Sequence, residues 1–308
     1  MSTNGTLSLA LPSGRNRGYV EVGAGSLING AIGVMVAYGH MPTGMLLTLR
    51  MAVAAVILAV PFVLFRHWRE VWQPGVPLRL LSLGLVVAVN LILYFVSIRY
   101  AGVAVAIFLS YMAPLYLAVL APLFLKERTE RVVWIALGIS VVGMLAIVLP
   151  GAFAGGANFS VLGVTAGIGA GFGYTGCLLL RKKLRPRVTS ATIVLSESTC
   201  TALAVLPLGL WEINAGHYVF TGTDMLMAVL LGTLTTALSF TLFVHGMRYI
   251  KVQHSSIIGY LEPVSAPLYA LLFLGQRPSP WTVLGGALII VAGVFLVVFG
   301  KAEEELYG

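Results

Sequence analysis

Charge is what this sequence has least of. Asp, Glu, Lys and Arg make up 10% of its 308 residues, against about 25% in soluble domains. So few charges cannot cover a folded surface against water, which excludes an ordinary soluble globule. Cysteine is nearly absent as well: Cys177 and Cys200 are the two present, each inside an apolar run, so there is no disulfide framework and no thiolate metal spacing. No P-loop, Walker or kinase-like glycine motif occurs, so ATP is not the direct energy source. The ionisable residues inside apolar runs are scattered, not clustered as a membrane-embedded enzyme requires. No catalytic residue, metal site or cofactor is therefore expected. Residues 1–18 are polar and Gly/Ser-rich without an apolar core ending in a small-residue cleavage site, so no removable signal peptide is expected.

What is present is apolar sequence, 58% of the chain. A membrane-spanning helix needs about 20 apolar residues, and ten candidates of that kind run over 20–38, 43–65, 79–98, 103–124, 132–149, 161–180, 189–210, 224–245, 253–274 and 281–299. The net charge of +8 comes from short basic clusters between these runs, which argues against a nucleic-acid partner. With the N-terminus inside, all Lys and Arg but Arg50, Arg99 and Arg277 fall in inner segments. Because cytoplasmic loops retain positive charge, both termini are expected in the cytoplasm and the chain in the inner (cytoplasmic) membrane.

One stretch organises the rest. Tyr249 to Trp281 is apolar over a spanning length but is broken near its middle by Glu262 and Pro263, where interruption is costly. It has an echo from Tyr100 to Trp134. Tyr100 matches Tyr249, Val103 matches Val252, Tyr111 matches Tyr260, Pro114 matches Pro263 and Arg128 matches Arg277, all at an offset of 149. Such an internal duplication decides the architecture. Each copy holds five helices, an odd number, so the second enters the membrane from the opposite side. The expected fold is an all-α integral membrane protein, with ten helices in two inverted five-helix repeats related by a pseudo-two-fold axis in the membrane plane. The expected division is a cytoplasmic tail (1–18), a first repeat (19–149), an extracytoplasmic linker (150–160), a second repeat (161–300) and a cytoplasmic tail (301–308). Pro114 and Pro263 both fall about 15 Å deep at about 1.5 Å per residue, near mid-membrane, where transporters of this build place substrate.

These residues resemble a known family. LSYMAPLYLAVLAPLFLKERTERVVWIALGISVVG and LEPVSAPLYALLFLGQRPSPWTVLGGALIIVAGV are similar to the first and second EamA units of the drug/metabolite transporter superfamily, and NGAIG and LYFVSIRYAGVAVA fit too. Within it, the YddG-like exporters of aromatic and other amino acids are the nearest match. The resemblance implies a ten-helix basket. Helices 3, 4, 8 and 9, with parts of 1, 2, 6 and 7, would surround a central cavity, and helices 5 and 10 would stand at the back. The sequence departs from the pattern at Asn29, where the family often has Trp, and at Gln276, where Glu usually stands, although Glu127 keeps it in the first unit.

Several residues are candidates for function. A carboxyl at the midplane is costly when ionised, so Glu262 is either a proton-coupling group facing the cavity or a hydrogen-bonded brace for the gap at Pro263. The frequency of Leu-Glu-Pro in the family favours the brace. Pro114 and Pro263 each deprive a carbonyl four residues back, at Ser110 and Gly259, which makes these four residues hinge candidates. Tyr111 and Tyr260 share a helical face with the prolines and either line the cavity or pack. Asn90 and Ser239 align near mid-depth and, with Tyr94, are candidates for polar recognition. Arg50 and Glu197 fall at matching positions about 10 Å deep from opposite faces, so they are expected to have separate partners. Arg50 either attracts a carboxylate or snorkels to the outer headgroups, the latter being favoured. His245 is expected at the inner interface, Tyr38 and His40 at the outer mouth as gate or headgroup contacts. Gly163, Gly167 and Gly171, at four-residue spacing, are expected to pack closely.

The function expected is a secondary transporter that moves amino acids and related metabolites outward by alternating access. The alternatives are an exporter of drugs, nucleosides or nucleotide-linked sugars, a passive channel, or a membrane-embedded enzyme. The partners expected are a small-molecule substrate and the lipid bilayer. Helices 5 and 10 suit a dimer partner and lipid equally. Counterflow of a labelled solute in proteoliposomes separates carrier from channel: a carrier saturates and is trans-stimulated, whereas linear flux marks a channel.

Overall fold

The computed structural model describes residues 14–154 and 160–300. Residues 1–13 and 301–308 of the expected tails and 155–159 of the expected linker lie outside the described residues. Among the described residues, ten helices are long and apolar enough to cross a membrane: α1 Gly14–Tyr38, α2 Thr43–Leu64, α3 Val76–Ala101, α4 Val105–Leu125, α5 Arg131–Pro150, α6 Val161–Leu184, α7 Ser190–Gly216, α8 Gly222–Gly246, α9 Val252–Leu274 and α10 Pro280–Phe299. Large apolar side chains such as Val56, Leu85, Leu123, Leu272 and Val298 face outward, as suits a lipid solvent. The polar tail expected up to residue 18 is helical from Gly14, where an i,i+4 pair of Arg17 and Glu21 at 2.7 Å supports it.

Ends and interruptions follow local chemistry. Thr221 and Asp224 form a capping box at the start of α8, and Ser279 accepts the Thr282 N–H at 3.1 Å ahead of Pro280 in α10. Both α4 and α9 end on a left-handed residue, Lys126 (φ 61) and Gly275 (φ 66), 149 positions apart, so the duplication extends to backbone conformation. The two prolines fall where helices break. α4 is built from Val103–Ser110 and Ala113–Leu125, and α9 from Val252–Ile258 and Leu261–Leu274. The Gly259 carbonyl, expected to be left free by Pro263, accepts the Glu262 N–H at 3.1 Å. A third interruption, unforeseen from the sequence, divides α1 into Gly14–Asn29 and Ile32–Tyr38, and a π-helical segment, Leu231–Leu238, lies within α8.

The largest packing faces run between repeats, not within them. α3 packs on α6 and α1 on α8, two contacts exchanged by the pseudo-two-fold, while α2 packs on α7 and α5 on α10, each pair related to itself. Small residues let the backbones approach. A Cβ on Gly143 of α5 would come within 2.7 Å of the Gly285 carbonyl of α10, and one on Gly25 of α1 within 2.7 Å of the Ser239 carbonyl of α8. Gly163, Gly167 and Gly171 sit against Ala101, Leu109 and Tyr116.

The break in α1 rests against α9 through Gly30. A Cβ there would overlap the Ser265 hydroxyl and lie 2.9 Å from the Glu262 carbonyl and 3.0 Å from the Ala266 nitrogen. Gly30→Ala is therefore expected to destabilise the fold by about 1–3 kcal/mol, read as a lower thermal midpoint in detergent. Gly33→Ala, whose added methyl meets nothing within 4 Å, leaves that midpoint unchanged or raises it.

Candidate functional site: a cavity between the broken helices

A cavity of about 1310 Å³ runs from mid-span to the α3–α4 and α9–α10 connections. Its floor carries the polar groups Asn29, Tyr94, Tyr111 and Glu262, and its walls include Val34, Ile107, Met144, Ile147, Ala266 and Ala270. The helix breaks position the floor. Asn29 is the last residue of the first half of α1, and its Nδ2 donates to Glu262 Oε2 at 3.0 Å. Tyr111, at the break in α4, lines the cavity together with Glu262.

Tyr111 and Tyr260, equivalent residues of the two repeats, stack on each other with ring centroids 5.9 Å apart and planes 28° apart. The pseudo-two-fold axis therefore passes between them. The Tyr260 hydroxyl donates to the Tyr111 carbonyl, freed at the α4 break. The pair is used unequally: Tyr111 lines the cavity, whereas Tyr260 is buried outside its lining.

The lining departs from the expected arrangement. Alongside α1, α3, α4 and α9, α5 and the start of α10 contribute to it, while α2, α6, α7 and α8 do not. The reason is that α2 is pressed on α7, and α3 and α1 on α6 and α8, which leaves one end of each of α3, α4, α5, α9 and α10 around the opening. Asn90 and Ser239 consequently line no part of this cavity. Ser239 donates to the Gly25 carbonyl at 2.8 Å and approaches Asn29 Oδ1 at 3.4 Å, and Asn90 packs beside Gly173. Tyr94 and Pro263 do line it. Ser110, Pro114 and Gly259 lie at or beside the α4 and α9 breaks.

Arg50 does not snorkel. Its Nε donates to Thr236 Oγ1 at 2.6 Å within the π-helical segment of α8, because the loosened turn presents two threonines inward. Glu197 instead accepts two hydrogen bonds from Arg181 of α6, both 2.7 Å, in a buried bidentate pair. Arg50 and Glu197 thus have different partners, and Arg181, near the end of α6, is drawn into the buried pair. Tyr38 donates to the Phe273 carbonyl at 2.7 Å, tying the end of α1 to the end of α9. The His40 backbone N–H donates to Asp224 at 2.9 Å, and His245 meets Glu21 at 2.6 Å at the end of α8.

The end away from the opening is sealed by charged residues the sequence offered only as topology signals. Lys251 pairs with Glu130, Glu127 accepts the Val252 N–H at 2.9 Å, and Tyr19 and His254 Nδ1 are hydrogen-bonded at 2.6 Å. Lys251 is 1% exposed, burial that is unusual for lysine unless it is paired. Among the described residues no cluster of His, Cys, Asp and Glu is arranged to hold a metal.

The chain matches the EamA-like transporter family twice, over residues 17–149 and 161–299. It belongs to that family. Among relatives of this EamA-like transporter, a transporter of Archaeoglobus fulgidus is 30% identical over 203 residues, 66% of this chain and 70% of that one. The pseudopaline exporter CntI of Pseudomonas aeruginosa is 28% identical over 73% of this chain and 76% of its own. The threonine/homoserine exporter RhtA of Escherichia coli is 24% identical over 84% and 83%. A solved crystal structure superposes with a TM-score of 0.77 at 18% identity, covering 93% of this chain and 99% of its own, which shows the shared fold. The protein is thus a multi-pass membrane transporter.

The Arg181–Glu197 pair generates a stability prediction. Removing one member leaves a buried charge without its partner, so Arg181→Met or Glu197→Gln is expected to cost about 3–5 kcal/mol. Replacing both together by Met and Leu restores most of it. Thermal melts of the purified variants in detergent check this.

Proposed function

We propose that this EamA-like transporter moves amino acids, aromatic and neutral ones foremost, and related metabolites outward across the cytoplasmic membrane by alternating access. The observation that carries the proposal is the cavity floor: a carboxyl, an amide and two phenols under largely apolar walls. An apolar side chain suits the walls, and the ammonium of a zwitterion suits Glu262 with Asn29 beside it. Two relatives named for their cargo, the pseudopaline and threonine/homoserine exporters, add support. A nucleotide-linked sugar calls for several cavity cations, whereas Arg99 and Arg277 lie at the rim and Arg50 outside the lining.

The cavity opens on the face that carries Arg99 and Arg277, opposite the clusters around Arg66, Lys126, Lys183 and Arg248. With positive charge retained inside, both termini are cytoplasmic and the cavity is open to the outside. The asymmetric use of Tyr111 and Tyr260 supports alternation, because exchanging their roles about the axis yields the inward-open state. The breaks beside Pro114 and Pro263 serve as its hinges. Glu262 faces the cavity, which favours substrate or proton contact over a purely bracing role.

Proteoliposome counterflow with neutral amino acids, nucleosides and drugs tests the substrate. Saturable exchange of neutral amino acids is expected, and exchange confined to nucleosides or drugs sinks the assignment. Glu262→Gln is expected to lower transport about ten- to a hundredfold, the loss of one charge-assisted contact of about 1.5–3 kcal/mol. A variant with the parent's rate and pH dependence removes Glu262 from the transport site.

A further inference from the structure

The duplication pairs the residues that seal the inner end with residues that line the open outer end. At the inner end, Glu127 in the α4–α5 connection accepts the Val252 N–H at 2.9 Å and lies 3.6 Å from Lys182 Nζ. Lys182 also donates to the carbonyls of Met247 at 2.8 Å and Ile250 at 2.7 Å. Subtracting or adding the 149-residue offset turns Glu127 into Gln276, Val252 into Val103, Met247 into Ile98 and Ile250 into Ala101. All four counterparts line the outer cavity.

We propose that Gln276 is the outer gate residue: when the outer end closes, its side-chain amide oxygen accepts the Val103 N–H, as Glu127 now accepts that of Val252. The inference rests on the alternating-access reading above. It also gives the departure from Glu at this position a role, since an amide oxygen keeps the acceptor and drops the charge.

The two seals are unequal. The inner one adds the Lys251–Glu130 pair, with His254 Nε2 3.7 Å from the same carboxyl and its Nδ1 bonded to Tyr19. The counterparts of Lys251, His254 and Glu130 are Gly102, Val105 and Ser279, so no charge pair is available at the equivalent outer positions. Charge-assisted hydrogen bonds are stronger than neutral ones, and buried pairs are screened little by salt. The inner seal therefore holds more tightly, and the outward-open state is the resting one.

The test uses the full-length protein with Cys177→Ser and Cys200→Ser, carrying Val103→Cys and Gln276→Cys, oxidised in proteoliposomes. A slow disulfide is expected, reversible by reductant. Adding Lys251→Gln or Glu130→Gln to weaken the inner seal is expected to speed its formation at least about tenfold, as a shift of the two-state population requires. Absence of the disulfide, or an unchanged rate in both weakened variants when they elute as the parent does, overturns the proposal. Gln276→Glu keeps an acceptor and Gln276→Leu does not. With Val252→Cys as the single reporter thiol at the inner seal, its labelling from the inner side is therefore expected to fall several-fold in the second variant only, and an equal response overturns the gate contact. These readouts need no substrate, so a wrong substrate assignment leaves them intact.

Discussion

A backbone carbonyl or N–H left unpaired within lipid costs several kcal/mol, and the break in α4 meets that demand with groups from the other repeat. The Tyr260 hydroxyl of α9 satisfies the Tyr111 carbonyl at the break in α4, and Thr175 of α6 donates to the Ala113 carbonyl at 3.2 Å on the far side of the same break. Ser265 of α9 adds a donor at 3.2 Å to the Leu27 carbonyl before the break in α1, which also accepts the Gly30 N–H at 3.2 Å. The break in α4 is thus braced from the other repeat, in keeping with the principal helix pairs, which join one repeat to the other.

The same interlocking creates the site. Gly30 lets α1 touch the turn of α9 that bears Glu262, and this contact sets Asn29 on the carboxylate. Tyr111 lines the same cavity floor as Glu262. Of the two contacts that symmetry would allow between the stacked tyrosines, the Tyr260 hydroxyl makes one, while the Tyr111 side chain lines the cavity beside Glu262. A residue present in one repeat alone thus breaks the equivalence of the two halves where the cavity ends. Its counterpart, Ala113, is buried and apolar.

Much of the fold was legible because it follows from lengths and counts. Ten apolar runs, a 149-residue echo and an odd number of helices per copy lead to an inverted pair of repeats without any knowledge of contacts. The breaks at Pro114 and Pro263 were legible too, since proline removes a donor wherever it lies. The break in α1 was not, because no proline marks it: Gly30 is needed there for close approach to a helix far away in sequence. The polar floor was half legible. Glu262, Tyr94 and Tyr111 stood out by type and depth, whereas Asn29 was visible only as a departure from the family pattern. Asn90 and Ser239 aligned well but point into helix contacts, since alignment fixes depth and not the direction a side chain faces.

The sequence by itself determined that the chain lives in lipid, how many times it crosses, and that its two halves face opposite ways, because hydropathy and parity are additive along a chain. Only the tertiary structure decided which side chains share the cavity, that Arg50 turns to Thr236 and not to the membrane surface, that Arg181 holds Glu197, and which end is closed. Those outcomes depend on the rotation of each helix about its axis and on pairings between distant residues. In an apolar helix nearly every face is acceptable to lipid, so composition leaves that rotation open until the helices pack.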